Sequence, residues 1–218
     1  METTESKRSV SIELAVILLA FSAPALTSSV THFIEPETYR SSLSVSSVVS
    51  AAGAAAVLVW LMWKKGWTRF GFISPTIVDL LGAAALVALY FFIGYLGHTA
   101  AIAPMNRNVA ASYSFRMMFL PVLSVCYTAA GTFFEECLFR CYFVTRLEDL
   151  GAAPILAAVI SSVVFGAGHL YQGIGGGLSA FAFGLVAVTA MYFRRSIAML
   201  YLAHVVYDLL IFSSYIRH

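Results

Sequence analysis

Residues 135–140, Glu135-Glu136-Cys137-Leu138-Phe139-Arg140, set two adjacent carboxylates and an arginine in one of the most apolar regions of a 218-residue chain. The run before them, 117–134, is apolar. After them no Pro or Gly interrupts the sequence until Gly151, so a helix is expected to continue past Glu135 for several turns. Ionisable side chains are costly in hydrocarbon, about 2.5–3.5 kcal/mol each on insertion scales, and persist mainly where they face a protein interior or a watery cavity. The stretch therefore predicts a membrane helix that carries a functional site. Composition agrees: 60% of the residues are apolar and 11% charged, with a mean hydropathy of +0.85, far from an ordinary soluble domain.

Apolar runs of the roughly 20 residues that span a bilayer occur near 12–30, 45–63, 77–97, 117–134, 152–171, 177–193 and 196–213. The fold expected is all-α, a polytopic membrane helix bundle of about seven transmembrane helices (six to eight). Residues 1–218 read as a single integral-membrane domain, without internal repeat or linker, in which 131–210 form the core that carries the chemistry. The first run is long enough to span and lacks a convincing cleavage site, so it is expected to remain as a span. With the N-terminus cytoplasmic, nine of the 13 Lys and Arg lie in cytoplasmic segments, including Lys64, Lys65, Arg69, Arg194 and Arg195. Arg40, Arg107, Arg116 and Arg217 fall outside, a bias in the direction the positive-inside rule requires.

Trp67, Phe70 and Phe72 interleave with basic residues as in an interfacial segment. The polar connection 97–116 is expected to hold a short surface helix or a lid. Cys126, Cys137 and Cys141 are odd in number and unpaired in pattern, and are expected to be free thiols. A net charge of +2 without a basic patch excludes a nucleic-acid partner.

Two further islands interrupt apolar runs: Phe165-Gly-Ala-Gly-His169 and His204-Val-Val-Tyr-Asp208. Residues four apart share a helix face, so Glu136 and Arg140 can pair, while Glu135 projects about 100° away. Pairing offsets part of the cost of burial. Glu135, without a local cation, can act as general base toward a water, or can reach a cation elsewhere in the chain. Gly166 and Gly168 would let helices approach closely and bring His169 beside Glu135, although a histidine there also suits a hydrogen-bonded interior position. His204 and Asp208 share a face, as catalytic groups or as a structural pair. Counting about 1.5 Å per residue, Glu135, His169 and Asp208 lie roughly 18–25 Å from their cytoplasmic helix ends, compatible with one buried site. The run Gly173–Gly177 lacks the Lys and Ser/Thr of a phosphate loop.

In that order, Glu-Glu-x-x-x-Arg, Phe-x-x-x-His and His-x-x-x-Asp on membrane helices resemble the CAAX prenyl protease and bacteriocin-processing (CPBP, or ABI) family of intramembrane proteases, from Gly131 to about Leu210. The resemblance implies that Glu135 and His169 activate the attacking water and that His204 and the residue at 208 stabilise the oxyanion. It also implies that Glu136 and Arg140 hold the site together. The family's last motif usually ends in Asn where this chain has Asp208, and an ionised carboxylate would repel an oxyanion that an amide can donate to. Asp208 is expected to orient His204 instead, as a carboxylate does for a catalytic histidine elsewhere.

A mechanism that requires no cofactor is expected. Zinc on Glu135, His169 and His204 is the alternative, though no His-Glu-x-x-His is present. The function expected is an intramembrane endopeptidase, similar to the type II CAAX prenyl endopeptidases, that hydrolyses a peptide bond of a membrane-anchored, lipidated or C-terminal-motif protein or of a small exported peptide. The location expected is a prokaryotic inner membrane, with the lipid bilayer as its other partner. A non-catalytic peptide-binding immunity protein and a proton-coupled transporter are the alternatives from other classes.

Overall fold

The computed structural model describes residues 5–39, 43–99 and 107–214, and helix is the only regular structure among them. The helices are α1 (Lys7–Phe21), α2 (Ala23–Ile34), α3 (Val45–Lys64), α4 (Ile77–Thr99), α5 (Arg107–Phe119), α6 (Pro121–Asp149), α7 (Pro154–Ala167), α8 (Ile174–Arg194) and α9 (Ile197–Ser214). Five of them, α3, α4, α6, α8 and α9, are long and apolar enough to cross a membrane. The protein is a polytopic helical membrane protein, and its apolar surface is turned outward: Leu81, Phe92, Val122, Ile155 and Phe193 are exposed, as lipid-facing residues are.

The sequence predicts seven spans, and two of them take a different form. The first is a pair of helices, α1 and α2, bent by 46° at Ser22. Pro24 stands in the first turn of α2, where it has no N–H to bond back to α1, so the two helices are not joined by a full ladder and the direction can change. Counting the pair as one span brings the total to six. The fifth predicted span shrinks to α7, whose 14 residues extend about 21 Å, short of the roughly 30 Å hydrocarbon core. Gly173, at φ 99°, starts the chain back along α8. The chain thus reverses inside the bundle, with His169 in the turn.

Local signals account for the remaining boundaries. Ser44 and Ser47 form a capping box on α3, Pro121 and Pro154 open α6 and α7 at positions that need no N–H, and Gly151 at φ 100° follows the end of α6. A short helix, α5, fills part of the expected 97–116 connection. Residues 100–106 of that connection, together with Arg40 and Arg217, lie outside the described residues. Phe70 is fully buried rather than interfacial. The three cysteines are free, Cys126 exposed and the other two buried.

At the basic end of the bundle, buried charges are paired across helices. Arg146, 2% exposed, meets Glu5, Glu13 and Asp149 at 3.1, 3.2 and 2.6 Å, which ties α1 to α6. Fully buried Asp79 accepts from Arg194 Nε and Nη2 at 3.0 and 2.9 Å, which fastens the start of α4 to the end of α8. Elsewhere small residues set the spacing. A Cβ on Gly166 would stand 2.8 Å from the Gly177 carbonyl oxygen, so the motif glycine packs α7 on α8 rather than on α6 as the sequence suggests. A Cβ on Gly168 would meet only its own helix's carbonyls.

This contact yields a paired prediction. Gly166→Ala overpacks against backbone, costing about 1–3 kcal/mol, which outweighs the roughly 1 kcal/mol of helix propensity that alanine gains. Gly53→Ala, with nothing within 4 Å of the new Cβ, keeps that gain. Thermal unfolding in detergent is expected to shift down for the first variant and up for the second.

Candidate active site

The centre of the site is a widened stretch of α6. From Glu136 to Phe143 the backbone is a π-helix, and all eight residues are buried. Such segments are rare and occur frequently at functional sites, because the i→i+5 pattern leaves backbone groups unpaired by the regular ladder. Here Ser161 of α7 donates to the Phe139 carbonyl at 2.6 Å, fixing α7 against the widened turn. Glu136 and Arg140 remain neighbours: Nε stands 3.4 Å from Oε2, with side chains 2% and 1% exposed. The pair lacks full hydrogen-bond geometry, and Arg140 Nε and Nη1 have no hydrogen-bond partner. The guanidinium finds its second support on an aromatic face, 3.9 Å from the Phe165 ring centroid. In a dry setting such a contact contributes up to about 2 kcal/mol. Sequence reasoning left Phe165 without a role, and its place four residues before His169 was the available signal.

Glu136 has a second partner. His204 Nδ1, which can only donate to a carboxylate, lies 2.8 Å from Glu136 Oε1. Asp208 stands on the other side of the ring, 3.7 Å from Nε2, and Glu135 also faces Nε2 at 3.8 Å. The carboxylate that orients His204 is therefore Glu136 rather than Asp208. The reason is geometric: a side chain four residues on along α9 reaches the far edge of the imidazole, while the π segment presents Glu136 to the near edge. His169 is set by its own turn, its Nδ1–H donating to the Phe165 carbonyl at 2.8 Å. Its ring lies 4.5 Å from that of Phe165. In this tautomer Nε2 is left as an acceptor.

Glu135, His169, His204 and Asp208 all border one cavity of about 400 Å³. Glu136 and Arg140 do not; they stand behind it. The cavity is walled by α2, the first half of α6, the 168–172 turn, the first half of α8 and the second half of α9, and it reaches Tyr39, Leu43 and Phe212. Many wall residues are polar, among them Ser28, Thr128, Thr132 and Ser179. A cavity with polar groups in its wall, inside an apolar bundle, is the setting in which intramembrane ionisable groups persist.

Residues 116–210 match the family model of the type II CAAX prenyl endopeptidase Rce1-like proteins. The segment that carries the site is therefore similar to that family over somewhat less than half of the chain. Comparison with curated proteins and with solved structures gave no match. The Rce1-like segment takes in α6 to α9 and most of what walls the cavity, while α1 to α4 lie before it. Its four cavity residues come from two helices, α6 and α9, and one turn, brought together by the reversal after α7. Zinc fits this arrangement poorly. Among the described residues no three His, Cys, Asp or Glu side chains are grouped to hold a metal ion.

Proposed function

We propose that the protein is an intramembrane endopeptidase that hydrolyses a peptide bond with a water activated by Glu135. The observation that carries this is the convergence of Glu135, His169, His204 and Asp208 on one cavity within the Rce1-like segment. A water between Glu135 and His169 Nε2 gives its proton to the Glu135 carboxylate as its oxygen attacks the peptide carbonyl carbon. His204, faced by three carboxylates, acts as an imidazolium: Nδ1–H stays on Glu136 and Nε2–H donates to the developing oxyanion. Collapse breaks the C–N bond, and the proton on Glu135 passes to the leaving amine. Glu136, Arg140 and Phe165 hold His204 and the widened turn in place. No cofactor takes part.

The substrate follows from direction. The basic residues Lys64, Lys65, Arg69, Arg146, Arg194 and Arg195 gather at one end of the bundle, and the cavity draws on the opposite halves of α6, α8 and α9. With the basic end cytoplasmic, the substrate enters from the extracytoplasmic half. This favours an exported peptide or the outer tail of a membrane-anchored protein. Comparative C-terminal peptide mapping of membrane and exported proteins, in cells with and without the protein, tests the proposal. New C-termini on extracytoplasmic segments are expected only when the protein is present; unchanged termini everywhere would reject it.

Position 208 gives a sharper test. Its side chain faces the same Nε2–H as the oxyanion, and an amide there supplies a further donor while Glu136 still orients His204. Asp208→Asn is expected to keep kcat within about tenfold of wild type, because the amide donor offsets the lost charge, whereas Asp208→Leu removes one of the carboxylates that hold His204 as an imidazolium and supplies no donor, so it loses about 10²–10³-fold, as when His204 stops serving as an oxyanion-hole donor. Initial rates on the mapped cut-site peptide in proteoliposomes decide between them.

A further inference from the structure

We propose that Ser29 is a positioning residue for His169, an inference that rests on the endopeptidase reading for its kinetic consequence. Ser29 sits in the middle of α2, the second half of the bent N-terminal pair, and is 1% exposed. It lies well before residues 116–210, so the family likeness does not include it. Its hydroxyl makes two bonds, one on each side of His169. It donates to the Ala167 carbonyl at 2.9 Å and accepts the Tyr171 N–H at 3.0 Å.

These two backbone groups are the ones that a helix ending in a tight turn leaves over. At the C-terminus of α7 the carbonyls of Val164 and Gly166 are taken by the N–H groups of Gly168 and His169, at 3.1 and 3.0 Å. The Ala167 carbonyl is an orphan of the helix end. Beyond the turn, Gln172 and Gly173 N–H bond back to His169 and Leu170, at 3.0 and 2.8 Å, while the Tyr171 N–H points to α2. One hydroxyl therefore joins a helix-end acceptor to a turn donor four residues further on, and His169 is midway between them. A buried, unpaired backbone group costs about 1–3 kcal/mol, enough to shift the turn if the hydroxyl is lost.

The bent pair of α1 and α2 is held at both of its ends. The stacked rings of Tyr39 and Tyr171, 5.6 Å apart and 7° from parallel, fix the chain after α2 to the turn. At the other end α1 is anchored through Glu5 and Glu13 to Arg146. The bend at Ser22 is what brings α2 across to the turn, so the N-terminal pair acts as a strut between the basic end of α6 and the histidine of the cavity.

The test compares Ser29→Ala and Ser29→Thr with wild type in proteoliposomes, with three readouts. Ser29→Ala is expected to speed hydrogen exchange at residues 168–173 by about tenfold, with α8 and α9 unchanged, and to raise severalfold the rate at which diethyl pyrocarbonate modifies His169. On the mapped cut-site peptide it is expected to lower kcat by about tenfold with KM within twofold. Ser29→Thr, which keeps the hydroxyl, restores all three. Exchange and His169 reactivity equal to wild type in Ser29→Ala overturn the inference. Faster exchange with kcat unchanged also overturns it, because the turn would then be held without consequence for His169. A wild-type protein that cleaves nothing rejects the endopeptidase reading alone, and the first two readouts still decide whether Ser29 holds the turn.

Discussion

Glu135→Gln is expected to lower kcat by about 10²–10⁴-fold, the usual contribution of a general base, while the protein inserts and unfolds as wild type does. The substitution keeps the shape and hydrogen-bonding reach of the side chain and removes only its capacity to take a proton. Nothing structural depends on that capacity. The Glu135 side chain borders the cavity at 30% exposure, and its contact with His204 Nε2, at 3.8 Å, is too long for a hydrogen bond. The charge that Arg140 requires comes from Glu136 instead. Rates on the mapped cut-site peptide and thermal unfolding in detergent, measured on the same preparation, separate loss of chemistry from loss of fold. Undiminished proteolysis by this variant would reject Glu135 as the base. A cell-protection function that survives the substitution would point to a peptide-binding immunity protein using the same cavity.

The membrane class and most helices were legible because hydropathy and length are properties of single segments. Glu136 and Arg140, four residues apart, read as one helix face, and the two are paired in the structure even though the helix there is π. Residues at that offset are neighbours whether the backbone bonds run i→i+4 or i→i+5. The widening itself leaves no hydropathy signal. Neither does the reversal after α7: Gly166, Gly168 and His169 read equally as a close-packed helix continuing to Tyr171. The bend at Ser22 lies within an apolar run, and Pro24 was its only mark. What sequence could not supply was pairing across the bundle. His204 and Glu136 are 68 residues apart, and Ser29 and Ala167 are 138 apart. No periodicity connects such positions, so the role of orienting His204 fell by default to Asp208, its neighbour on the same face.

Arg140→Met is expected to destabilise the protein by about 3–5 kcal/mol, the cost of leaving a buried charge without its partner. Methionine fills much of the volume of the arginine stem, so the loss is electrostatic rather than a cavity. Glu136, 1% exposed, would keep only His204 as a counter-charge, and the face of Phe165 would lose the guanidinium 3.9 Å above it. Glu136→Leu combined with Arg140→Met removes both charges, and replacing a whole buried pair by apolar groups is often neutral or stabilising. The double variant is therefore expected to unfold in denaturant-treated micelles at nearly the wild-type midpoint. Cleavage should not return with stability, because His204 Nδ1 has then lost the carboxylate 2.8 Å away that sets its ring. A double variant both stable and active would mean that the buried pair serves only the fold. A stable, inactive one shows that the charges inside α6 are kept, at a cost to folding, in order to aim His204 into the cavity.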